Sequence, residues 1–249
     1  MGLRSRYNSQ DVFITTHLGL GDHILCNGLY KELAKSSRRC LIPVRDSNLV
    51  SVSQMLYESA NIELVTYPPG FERPLIYSHR DHLQNSGVRI INLGYFGKNF
   101  MSGRGKTRFD EDFYAQAELN FDLRWENFSY QRNEKAEEEL YETLGAGKGP
   151  YIFLHEDLLR NFRIKREYLA PDLRIIQPIA NHKDFRFFDY RLIIERASEI
   201  HVIESSFCAY IESLGLRGNK FAHRYARPEA SGDFRHEFTY RSDWTVYTR

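Results

Sequence analysis

Sulfur is scarce in this sequence, with three cysteines and three methionines in 249 residues. Cys26, Cys40 and Cys208 are odd in number and far apart. They offer neither a disulfide framework nor a CxxC zinc pair, and a reducing compartment is expected. Net charge is nearly absent as well, +1 from 34 basic and 33 acidic residues. That balance excludes coating of nucleic acid by bulk electrostatics, since no excess charge drives counterion release, although a local basic groove stays compatible with it. No apolar run approaches the ~18 residues a transmembrane helix needs. The opening MGLRSRYNSQ carries no apolar signal core after its two arginines. A soluble, cytoplasmic protein is the expectation. The histidines are scattered, and His79 and His82 lack a neighbouring carboxylate pattern, so no metal site is expected.

Aromatic residues are plentiful: 17 Phe and 16 Tyr. With a hydrophobic share of 42% they suffice for a proper core. The first half alternates short β-like runs with helical patterns. DVFITT (11–16), CLIPV (40–44), IELVTY (62–67) and VRIINL (88–93) read as strands. A helical pattern runs from Asp22 to about Lys35, and another follows Ser47 or Asn48 as cap. Residues 94–108 form a glycine-rich, basic and aromatic loop, followed by a short helix over 109–119 and a charged helix over 133–144. GAGKGP (145–150) is the clearest breaker, either an interlobe linker or a helix stop before a strand. The alternation then resumes with strands at 151–156, 174–178 and 200–205 and helices at 188–198 and 206–214. The predicted fold class is therefore α/β, two Rossmann-like lobes with parallel sheets facing a central cleft. The lobes are placed at 1–145 and 146–249, with the C-terminal tail free to pack back on the first.

Three places carry candidate chemistry. In HLGLGDH (17–23) the loop follows the first strand, at the sheet edge where open α/β folds bind ligands. Gly19 and Gly21 permit tight turns, and Asp22 opens the helix. The competing explanation is that Asp22 merely caps that helix. A carboxylate there is stabilised as an anion, which weakens it as a base; partial burial and substrate desolvation act the other way. His17 and His23 flank it as cleft residues, joined by Tyr95 and Lys98 from the 94–108 loop. In IHVIESSF (200–207), Glu204 ends a strand and Ser205-Ser206 open a helix, an arrangement suited to a phosphate or to sugar hydroxyls as much as to simple capping. In 154–169, Arg160, Arg163, Lys165 and Arg166 cluster near the same predicted edge, where cations would neutralise a diphosphate. Two signals are weak. GRGKT (103–107) ends like a Walker A loop, but Phe100 stands where glycine is required. GLGDH lacks the spacing of a dinucleotide fingerprint.

The strand–GLGD–helix opening resembles the heptosyltransferase-like glycosyltransferases of family 9 and their small relatives in bacteria and phages. IHVIESSFCAYIESL resembles their second-lobe strand–acidic–small-residue–helix motif, and 113–128 looks like a segment common in small proteins of this GT-B type. The resemblance implies a GT-B fold, with acceptor on the first lobe and nucleotide-sugar on the second, and inverting, metal-independent transfer in a bacterial or phage-infected cytoplasm. It casts Asp22 as catalytic base. Glu204, Ser205 and Ser206 become the donor motif, with Arg160 or Lys165 at the diphosphate. Glu204 and Ser206 depart from the family's Asp and Gly. No cofactor is implied beyond the nucleotide-sugar substrate, and the acceptor is a hydroxyl of a saccharide or of a modified base in phage DNA. A non-catalytic nucleotide- or saccharide-binding protein and a nucleotide-sugar epimerase are the competing functions.

Overall fold

The structure is a computed structural model that describes residues 10–97, 108–179, 183–227 and 237–249. The chain divides into two compact units, the first ending at Gln131 and the second beginning at Arg132. Lys98 and the 103–107 loop lie outside the described residues.

The first unit contains β1 (Asp11–Thr15), α1 (Leu20–Leu25), α2 (Asn27–Lys35), β2 (Arg39–Val44), α3 (Asp46–Met55), β3 (Ile62–Thr66), α4 (Glu72–Asn85), β4 (Arg89–Asn92), α5 (Phe109–Gln116) and α6 (Leu123–Glu126). Its sheet runs β3-β2-β1-β4, all parallel. β1 is buried at every position, as a central parallel strand covered on both faces must be. Phe13, Leu18, Leu41, Tyr67, Ile76 and Phe96 form one of its cores. The helix expected from Asp22 to Lys35 begins earlier and bends at Cys26, which separates α1 from α2. α2 passes so close to α6 that a Cβ on Gly28 would fall 1.9 Å from the Leu123 carbonyl oxygen.

The second unit contains α7 (Glu134–Thr143), β5 (Tyr151–His155), β6 (Arg174–Ile176), α8 (Arg191–Glu195), β7 (Glu199–Val202), α9 (Ser206–Ser213), β8 (Asn219–His223) and β9 (Thr245–Tyr247). Its sheet runs β6-β5-β7-β8-β9, again parallel. α7 packs on α8 and the 187–190 turn, so it belongs to this unit and not to the lobe that the sequence reading closes at 145. Gly145 takes a left-handed φ of 61° just past α7, the role of a helix-stopping glycine. GAGKGP is therefore a stop before β5.

The C-terminal tail forms an edge strand of the second sheet, where the sequence had left room for a return onto the first lobe. Two buried glutamates hold it. Glu212 accepts hydrogen bonds from the Arg241 and Ser242 amides, the Ser242 hydroxyl and the Trp244 indole, at 2.7, 3.3, 2.7 and 2.7 Å. Glu204 accepts from the Phe238 amide and the Tyr240 hydroxyl. Replacing Glu212 with alanine strands these donors, and the expected loss of unfolding free energy is about 3 kcal/mol. Urea unfolding of the variant checks this, and a loss under about 1 kcal/mol would show that the tail is not anchored there.

Candidate functional site

Each sheet has one place where the strand order reverses. In the first, the chain moves from β1 to β2 and β3 on one side and returns with β4 on the other, so the reversal lies between β1 and β4. Loops leaving two such strands diverge and open a crevice at the carboxyl ends. The ladder shows where this happens. The Leu93 amide still donates to the Thr15 carbonyl at 2.9 Å. Two residues on, the Tyr95 amide donates to His17 Nε2 at 3.0 Å instead of to a carbonyl.

His17 is 9% exposed. Its ring stacks on Tyr95 at 3.9 Å and meets Phe109 and Phe113 at 5.6 and 5.2 Å. Nδ1 faces Asp22 Oδ1 at 3.6 Å. Asp22 is not the helix cap: Gly19 holds that position, and Asp22 lies in the first turn. A Cβ at Gly19 would sit 2.6 Å from Asp22 Oδ2, so glycine here leaves room for the carboxylate in its present position. Gly21 lies within α1. Among the described residues, no side-chain or main-chain donor makes a hydrogen bond to the Asp22 carboxylate, whose side chain is 19% exposed. A mostly covered carboxylate without such a donor at a switch point is positioned to accept a proton or hydroxyl from a ligand. Arg73 lies over the Tyr95 ring at 4.7 Å, adding a cation that the sequence reading did not single out.

His23 has a different place. It is fully buried, with Nδ1 3.2 Å from the Tyr30 hydroxyl, and it lines no crevice. Burial pushes its pKa down to about 4.

In the second unit the reversal lies between β5 and β7. Here His155, the last residue of β5, places Nδ1 3.0 Å from the Ser205 hydroxyl, which caps no amide of α9. Burial lowers the His155 pKa to about 4, so the ring is neutral. Ser206 begins α9. Glu204 is deeply engaged: its Oε1 receives Arg224 Nε and Nη2 at 3.1 and 2.8 Å as well as the two tail donors. None of these reaches Oε2. Its carbonyl accepts from Arg227. The cationic segment is folded by Glu156, which receives the Ile164 amide, Arg166 and Gln177 at 2.6, 2.8 and 2.9 Å. Arg160 is paired with Asp157 at 2.7 Å and lies over Phe162. Lys165 is half-exposed, 5.1 Å over the Tyr225 ring, and its amide donates to the Tyr225 hydroxyl. Tyr225 adjoins Arg224, so this segment and the Glu204 turn are tied into one edge. Arg224, Arg227 and His155 were missed in the sequence reading. The two arginines follow β8, a strand it did not recognise.

Among the described residues, no group of three or more His, Cys, Asp or Glu side chains could hold a metal ion, and no helix is long and apolar enough to cross a membrane. Two parallel sheets with helices, each with its own switch point, define a Rossmann-like α/β protein. No family profile matches the chain, and no curated protein matches it. Among solved structures it is similar to a glycosyl transferase family 9 protein from Veillonella parvula DSM 2008. The TM-score is 0.57 at 12% identity, over 98% of this chain and 88% of that one. The similarity is one of fold.

The lowered His23 pKa has a direct consequence for stability. Unfolded, the ring titrates near 6.5; folded, near 4. The unfolded chain thus binds the extra proton first, and stability present above pH 6.5 is lost as pH falls towards 4. The contribution is on the order of 3 kcal/mol. A His23→Phe variant should show a shallower fall in unfolding free energy between pH 7 and pH 4.5. An unchanged slope would mean that His23 is not the buried group responsible.

Proposed function

We propose that this protein transfers a sugar from a nucleotide-activated donor to a hydroxyl acceptor, with inversion and without a metal ion. The observation that carries the reading is Asp22: a mostly covered carboxylate at the β1/β4 switch point that receives no hydrogen bond among the described residues, in a fold similar to a family 9 glycosyl transferase.

In this reading Asp22 takes the proton of the acceptor hydroxyl as that oxygen bonds to the anomeric carbon. The bond from carbon to the diphosphate breaks, and its electron pair leaves on the phosphate oxygen. The donor belongs to the β5/β7 switch point. There the Ser206 end of α9 faces the phosphates, Glu204 Oε2 takes a ribose or sugar hydroxyl, and Lys165 supplies positive charge to the leaving group. Arg160, held by Asp157 at 2.7 Å, is the weaker of the two proposed cations, since Lys165 meets Glu167 only at 3.8 Å. Arg224 joins them by its position beside Glu204. Transfer requires the two edges to act on one pair of substrates. A saccharide acceptor suits this arrangement; the modified-DNA alternative leans on the loop 94–108, whose cations Lys98, Arg104 and Lys106 lie outside the described residues.

The Asp22→Asn variant separates catalysis from binding. Loss of a general base should lower kcat by at least ~100-fold, while calorimetry gives an unchanged Kd for the nucleoside diphosphate. Full turnover in the variant would exclude Asp22 as base. Failure of the unaltered protein to consume any sugar nucleotide would leave a binding protein.

A further inference from the structure

A backbone N–H can only donate. Because the Tyr95 amide lies 3.0 Å from His17 Nε2, that nitrogen must present a lone pair, and the ring proton belongs on Nδ1. We propose that His17 is a positioning residue whose tautomer is imposed by the main chain: Tyr95 holds Nε2 as an acceptor, Nδ1–H is thereby directed at Asp22 Oδ1, and Oδ2 is left to take the proton of an incoming hydroxyl. This rests on the reading of Asp22 as base.

Three further features fix the ring in this role. Gly94 has a left-handed φ of 60°, and a Cβ there would lie 2.3 Å from His17 Nε2 and 2.9 Å from Phe113, so the imidazole occupies space that only glycine leaves open. The Gln116 side-chain amide grips the Gly94 backbone from both sides. Its Oε1 accepts the Gly94 N–H at 2.5 Å, and its Nε2 donates to the Gly94 carbonyl at 3.2 Å. Stacking on Tyr95 at 18° and edge contact with Phe113 block rotation of the ring. Protonating Nε2 would set N–H against N–H in a nearly closed site. The ring therefore serves as a fixed donor to the carboxylate and does not shuttle protons. At 3.6 Å the Nδ1–Oδ1 contact is long for a hydrogen bond; sites of this kind tighten when substrate binds.

The test begins with ring nitrogens and needs no substrate. The full chain, labelled with ¹⁵N-histidine, is examined by long-range ¹H–¹⁵N correlation, with the His17 signals assigned by their absence in His17→Asn. The expected pattern is a protonated Nδ1 and a bare Nε2, the minor tautomer of free histidine. It should persist in Asp22→Asn, because the Tyr95 amide and not the carboxylate imposes it. An Nε2–H ring, an imidazolium at neutral pH, or a tautomer that changes in Asp22→Asn would overturn the proposal.

The second readout is nucleoside diphosphate released from a sugar nucleotide that the unaltered protein consumes. His17→Asn places an N–H near the δ position and should keep most of the rate. His17→Gln places its amide near the ε position and should lose tenfold or more. Equal rates in the two variants would also overturn the proposal. If the unaltered protein consumes no sugar nucleotide, the transferase reading fails while the tautomer measurement still decides this one.

Discussion

A parallel sheet whose strand order reverses must leave two neighbouring chain ends without a shared ladder. This protein has two such reversals, and a histidine stands at each. At the β1/β4 reversal the imidazole of His17 replaces the carbonyl that the Tyr95 amide would otherwise find. At the β5/β7 reversal His155 takes the Ser205 hydroxyl. At the first a polar ring satisfies a backbone group that the diverging strands leave open; at the second it holds the side chain at the start of α9. The loops that follow are then free to present other side chains, Asp22 in the first unit and Ser206 in the second.

Around these two points the charges are organised differently. At the first, Asp22 has among the described residues only the long 3.6 Å contact from His17 Nδ1, and positive charge lies over the neighbouring Tyr95 ring, on Arg73. The second engages its carboxylates in the fold: Glu156 folds the cationic segment, Glu204 binds Arg224 and the tail through Oε1, and Glu212 anchors the tail further on. A proton acceptor suits the first arrangement and a phosphate-rich ligand the second. Glu204 also has a structural role at this turn. Its carboxylate reaches Arg224, Tyr240 and the Phe238 amide, linking the switch-point turn to the C-terminal tail.

Much of this was legible in the residues. Runs such as DVFITT and YIFLHE are apolar enough to be central strands and nothing else, and the Gly19–Asp22 turn stood out for the same reason: glycine next to a carboxylate at a strand end. What escaped has physical causes. α4 carries Pro74 in its first turn and buries only Ile76 fully, so its helical period is faint. β8 and β9 are short strands at one side of the second sheet, and Lys220 sits among the positions of β8. Missing β8 concealed Arg224 and Arg227. His23 looked like a partner of Asp22 in sequence, but the helical turn swings it into the core against Tyr30. The role of His17 was hidden because it depends on the main chain of a loop some eighty residues away.

Binding of a nucleotide at the β5/β7 switch point is the requirement on which the proposed transfer rests. Thermal unfolding of the full chain against a panel of nucleosides and their mono- and diphosphates tests this most directly. Ligand that binds only the folded state raises the midpoint with concentration. The account predicts that one nucleoside diphosphate raises it clearly while the parent nucleoside does not. A midpoint indifferent to every diphosphate, at millimolar concentration, would contradict it.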